Sequence, residues 1–133
     1  MKYMIMLFGS QQDYDVFAGR PTDKPAMSPE ELRQVHELMQ SIHEDLAESG
    51  ELVAANGLTA PAHARRVQLR NGVPAVTDGP YAETEEVLAG YTIVECDSFD
   101  RAAEIAARFI NPGAEGEYVD VRPVIEDVTE LEV

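Results

Sequence analysis

The sequence predicts an α+β fold, a mostly antiparallel sheet carrying two amphipathic helices on one face. Three observations predict it: two long stretches have helical periodicity, short β-like runs flank them, and the order is strand, helix, strand, hairpin, strand, helix, strand. A chain of 133 residues has the length of one domain. Its expected core spans 1–125, followed by an acidic tail, 126–133.

Residues 2–8, KYMIMLF, have strand length and apolar side chains on both alternating faces, Tyr3, Ile5 and Leu7 against Met4, Met6 and Phe8. A half-buried strand alternates with polar residues, so this one is expected to be covered on both sides. Residues 9–27, rich in Gly, Pro, Asp and Gln, read as a loop. SPEELRQVHELMQSIHEDLAESG follows as a helix. Ser28 is its N-cap, Pro29 occupies the first helical position, Glu31 completes a capping box and Gly50 ends it. Leu32, Val35, Leu38, Met39, Ile42 and Leu46 form one apolar stripe, with His36 and His43 seven residues apart along its margin.

A strand is expected over ELVAAN (51–56), then a loop through Pro61. In RRVQLRNGVPAVT, Asn71-Gly72 between two β-like runs signals a hairpin, because both turn positions need positive φ. Arg66, Gln68 and Arg70 alternate with Val67 and Leu69, as expected when one face is wet. GYTIVECD reads as a strand. SFDRAAEIAARFI reads as a second helix, capped by Asp97 or Ser98, with Ala102, Ile105, Ala106 and Phe109 on its apolar face. After the turn NPGAEG comes the last strand, EYVDVRPV (117–124). This order matches the split βαβ, ferredoxin-like plan. Both helices then lie on one face, and the other face needs a cover. The simplest cover is the same face of another copy, giving a homodimer with a closed, barrel-like core. The alternative is coverage by the 9–27 loop or the tail.

Ten basic and 25 acidic residues give a net charge of −15. Nucleic-acid binding draws much of its affinity from neutralised phosphates, so this field argues against it, and against anionic membrane surfaces. It reads as a solvated acidic surface. One cysteine, Cys96, leaves no internal disulfide, so a reducing, cytoplasmic location is expected. Cys96 itself reads as a small core side chain. No targeting segment is visible, and the apolar run Tyr3–Phe8 is too short for a signal core or a membrane span.

The stretch DGPYAETEEVLAGY, from Asp78 to Tyr91, places a turn dipeptide, a rigid proline and four carboxylates ahead of a strand. Structurally, Asp opens a turn, Gly tolerates unusual φ and Pro fixes the exit. Functionally, Asp78 would sit at the mouth of a cavity as a general base, with the Tyr81 hydroxyl and the Glu83 carboxylate presented to a ligand. The carboxylates lack the regular spacing of a metal loop, so no metal is expected. His43 is either a hydrogen-bonded spacer or a proton shuttle pointing into a sheet–helix pocket, with His36 nearby as a ligand contact. The i, i+4 spacing of helical zinc sites is missing. Arg122, expected on the same side of the last strand as Tyr118 and Asp120, either pairs across the sheet or anchors a ligand carboxylate through its planar fork. No Ser-His-Asp spacing, phosphate loop or dinucleotide fingerprint is present, and no cofactor is expected.

DGPYAETEE, followed by LAGY and later by YVDVRPV, resembles the YCII-related family, and within it the branch named for an Asp-Gly-Pro-Phe (DGPF) motif, with Tyr81 in place of Phe. MKYMIMLFG and ESGELVAANGL fit the same branch. The resemblance implies a dimeric α/β barrel related to muconolactone isomerases and cofactor-free monooxygenases, which hold small organic molecules between sheet and helices. Other members pair a helix histidine with an aspartate just before the helix-ending glycine. Here Glu48 and Ser49 precede Gly50, so that pair does not carry over. Some members of the branch are encoded beside extracytoplasmic-function sigma factors, which implies a regulatory association. Two functions are therefore expected in competition. One is a small-molecule-binding homodimer doing cofactor-free, isomerase- or lyase-like acid–base chemistry through Asp78 and His43. The other is a non-catalytic accessory protein docking a protein partner such as a sigma factor.

Overall fold

A computed structural model describes residues 1–131. Its elements are β1 (Lys2–Gly9), α1 (Gln11–Phe17), α2 (Pro29–Ser49), β2 (Leu52–Gly57), β3 (Arg65–Arg70), β4 (Val73–Asp78), β5 (Val87–Glu95), α3 (Phe99–Ala107) and β6 (Asp120–Pro123). The main sheet has the order β2-β5-β1-β6 and is antiparallel throughout. It is an α+β, ferredoxin-like arrangement. β3 and β4 form a separate two-stranded sheet.

β1 takes a central position because it is apolar on both faces, and only a central strand gains from that. Tyr3 and Ile5 face the helices beside Thr92 and Val94, their partners in register. Ile42 and Leu46 of α2 and Ala102, Ile105 and Ala106 of α3, with Phe109 just beyond it, close over them as one buried cluster. Each large aliphatic side chain buried here is worth about 1.5–3 kcal/mol relative to exposure. α2 begins and ends as its sequence dictates. Ser28 accepts from the Glu31 N–H, Glu31 accepts from the Ser28 N–H, and Gly50 closes the helix at φ +80°.

The opposite sheet face carries Met4 and Met6, paired with Ile93 and Tyr91, all half-buried. Arg122 lies opposite Met4 on that same outer face and is exposed. No helix among the described residues is long and apolar enough to cross a membrane.

Four sequence expectations are corrected. The 9–27 loop contains α1, nucleated by a capping box in which Ser10 accepts from the Asp13 N–H while Asp13 accepts from the Ser10 N–H. The last strand starts at Asp120 rather than 117, because Gly113 and Gly116 turn the chain at φ +82° and +86° and delay pairing with β1. Tyr118 therefore precedes the strand that carries Arg122. The second helix is capped by Ser98, whose hydroxyl accepts from the Arg101 N–H, and its regular part stops at Ala107. The β3–β4 hairpin forms around Asn71 (φ 52°) and Gly72 (φ 77°) as its turn chemistry requires, but both of its faces are exposed rather than one. Of the acidic tail, 126–131 includes a short 3-10 turn, Val128–Glu130, capped by Asp127, and 132–133 lie outside the described residues.

Candidate functional site

α2 packs closely on the sheet at Ile42 and Leu46, whereas its first half borders a half-open cavity of about 1070 Å³ between helix and sheet. α1, residues 24–27 and residues 116–119 complete the walls. Leu7, Val35, Leu38, Met39, Phe109 and Val119 make most of the surface apolar.

His43 stands where the cavity meets the core. Its Nδ1–H donates to the Met39 carbonyl, 2.8 Å away, one helical turn back. A carbonyl can only accept, so Nδ1 carries a proton, and Nε2 of the neutral ring accepts from the Thr92 hydroxyl at 3.0 Å. Thr92 is 2% exposed and comes from β5, so the contact joins helix to sheet across the cavity floor. Phe109 meets the imidazole edge-on, with centroids 5.7 Å apart. If Nε2 gains a proton, the Thr92 oxygen can accept from it. His36 lines the cavity two turns earlier on α2, roughly 10 Å along the helix axis, and is exposed.

A second polar group is built by α1. The Asp13 carboxylate takes hydrogen bonds from the Ser10 N–H and hydroxyl and from Lys24. Burial pushes its pKa up, but Lys24 and Ser10 outweigh that and hold it below the usual aspartate value. The Tyr14 hydroxyl donates to the Leu58 carbonyl at 2.8 Å, fastening α1 to the end of β2, and burial pushes its pKa up. On the far wall Tyr118 stacks on Phe8, centroids 5.8 Å apart, and donates to Glu86 at 2.8 Å. That hydrogen bond, with burial adding to it, raises the tyrosine pKa.

The structure gathers His36 and His43 around the cavity and leaves Asp78, Tyr81, Glu83 and Arg122 off its walls. Asp78 ends β4, exposed, and its carboxylate accepts from Arg65 at 3.0 Å. Gly79 follows at φ +55°, and its N–H donates to the Ala64 carbonyl. Tyr81 lies under the Arg66 guanidinium at 5.4 Å. Glu83 meets α1 through its backbone carbonyl, which accepts from the Gln12 N–H, while its side chain is exposed. The Asp-Gly-Pro corner thus ties off the hairpin.

Asp13, Tyr14, Lys24 and Thr92 line the cavity without having been singled out from the sequence, and so do Glu86, weighed there only as one of four carboxylates for a metal, and Tyr118, named only beside Arg122. The Ser10-x-x-Asp13 box was a visible signal for α1. Thr92 was visible as the one polar residue on an inward-facing set with Val94 and Cys96. Glu86 and Tyr118 are joined only by folding and leave no local trace.

A profile of the YCII-related domain matches residues 1–126. An uncharacterised protein of Rhizobium meliloti (strain 1021) is 30% identical over 99 residues, spanning 74% of this chain and 80% of that protein. On these grounds the chain belongs to the YCII-related family.

Proposed function

We propose that this domain, in the DGPF branch of its family, binds a small organic molecule in the sheet–helix cavity and moves a proton on it at His43 without a cofactor. The observation that carries the reading is the His43 ring, oriented at both nitrogens by Met39 and Thr92 and set in a mainly apolar cavity large enough for a small ligand. Imidazole is the side-chain chemistry suited to proton exchange near neutral pH. A ligand group that displaces the Thr92 hydroxyl from Nε2 delivers its proton there. The imidazolium stays held through Nδ1–H and returns the proton to another atom of the same molecule, an isomerase- or lyase-type step. His36 contacts the ligand at the rim. Asp78 fastens the hairpin. The working unit is a homodimer joined through the Met4, Met6, Tyr91 and Ile93 face, which places Arg122 in the interface.

Thermal shifts over a library of small organic compounds test this on the wild type, His43→Gln and Asp78→Asn. Some compounds stabilise the wild type and Asp78→Asn alike and lose their effect on His43→Gln. In D2O the same compounds take up deuterium only with His43 present. If no compound stabilises the wild type, the cavity is not a ligand site. If His43→Gln binds and exchanges as the wild type does, His43 has no part in it.

A further inference from the structure

The β3–β4 hairpin is amphipathic with its apolar face turned to solvent. Val67 pairs with Val76 and Leu69 with Pro74, so these four share one face, with the Arg65–Asp78 ion pair at its base. Val67 is 66% exposed, Leu69 74% and Val76 61%. Arg66, Gln68 and Arg70 occupy the other face, opposite Thr77, Ala75 and Val73. Among the described residues, no backbone hydrogen bond outside the ladder involves residues 66–77. A lone two-stranded hairpin is marginal in water, and although Arg66 on the other face lies over Tyr81, the apolar face of this one is left exposed among the described residues.

Charge identifies what covers it. Three arginines against one aspartate give residues 65–78 a net charge of +2, so the remainder of the −15 chain carries −17. A cationic arm on a strongly anionic body is complementary to another copy of that body. The outer face of the main sheet, with Met4, Met6, Tyr91 and Ile93, offers apolar surface of the matching kind.

We infer that the β3–β4 hairpin is an arm that lays its Val67, Leu69, Pro74 and Val76 face on the body of a second copy, beside the outer sheet face, while Arg66 and Arg70 on the arm's outward face keep it net positive within the field of that copy's acidic surface. By two-fold symmetry the exchange is reciprocal. This rests on the homodimer proposed above and adds to it a segment that crosses between subunits.

Sedimentation equilibrium and amide exchange test it on the wild type, the triple variant Val67→Ser/Leu69→Ser/Val76→Ser, the charge variant Arg66→Glu/Arg70→Glu, and Met6→Glu on the sheet face. The wild type is a dimer. The triple and charge variants each weaken it about tenfold or more, as loss of central apolar contacts or of charge complementarity does. Amides of residues 66–77 gain protection only at concentrations where the wild type dimerises. The charge variant changes exposed side chains alone, so it reports even if the triple variant folds poorly. Unchanged dimerisation by the charge variant, with amide exchange of 66–77 independent of concentration, overturns the arm. A dimer still broken by Met6→Glu then leaves the sheet-face dimer standing. A wild type that stays monomeric overturns both, whatever other protein it binds.

Discussion

Strands β1 and β3 each carry apolar side chains at alternating positions on one face, β1 on its second face as well, and the two strands have opposite fates. In β1, Tyr3 and Ile5 are sealed under α2 and α3, and even the outer Met4 and Met6 are half-buried. In β3, Val67 and Leu69 alternate just as regularly and stand in solvent. Alternation states which side chains share a face. It does not state what lies over that face. The inner face of the main sheet has its cover within the same chain, supplied by the two helices whose stripes were readable in the sequence. The apolar face of the hairpin does not among the described residues, and that exposure is what the proposed arm rests on.

The comparison is broken most directly at its two extremes. Ile5→Ala removes a fully buried side chain between sheet and helices and costs about 3–4 kcal/mol in urea unfolding. Leu69→Ala, measured with the chain monomeric, changes stability by no more than about 0.5 kcal/mol, since nothing packs on it. Equal losses at the two sites would mean that the hairpin is covered within the chain.

Thr92→Val keeps the shape of a buried residue but removes the partner of His43 Nε2. A loss of about 1–3 kcal/mol is expected in unfolding, together with weaker response to any compound that stabilises the wild type. Full retention of both would separate Thr92 from the orientation of the ring.

Asp13→Asn should cost about 1 kcal/mol at neutral pH through a weaker cap and the lost Lys24 pair. The sign of the pH effect follows from the lowered pKa. The contribution is present above the unfolded aspartate value, about 4, and is lost as pH falls through the lower folded value. The wild type therefore loses more stability on acidification from about pH 5 to pH 3 than Asp13→Asn does, and parallel curves would contradict the cap-and-lysine account.

The smallest effect is expected at Asp78→Asn. The Arg65–Asp78 pair is exposed on both sides and such pairs contribute about 0–1 kcal/mol, so global stability barely moves while amides at the base of the hairpin exchange faster. A large loss of ligand response in this variant would return Asp78 to the binding site.

Legibility followed the range of the interactions. α2 was readable to its caps because Ser28, Pro29, Glu31 and Gly50 act within one turn of the residues they satisfy. The Asn71-Gly72 hairpin was readable for the same reason. α1 reads as loop in the sequence because 9–27 is rich in Gly, Pro, Asp and Gln, of which the first three are turn formers, although Ser10 and Asp13 carried the local signal. Of the cavity, only the histidines were legible, as polar residues on the margin of an apolar stripe. Thr92 meets His43 across 49 positions and Tyr118 meets Glu86 across 32, separations over which no periodicity in one segment constrains another.

By itself the sequence determined the elements other than α1, their order, the ferredoxin-like plan and the acidic character, because caps, turns and stripes act over a few residues and net charge is a sum. The tertiary structure alone decided that the space under α2 opens around His43 rather than Asp78, and that among the described residues the hairpin's apolar face is left without a cover. Both depend on which surfaces meet after the chain has folded back on itself, and packing between distant segments is settled by shape and volume that no single segment carries.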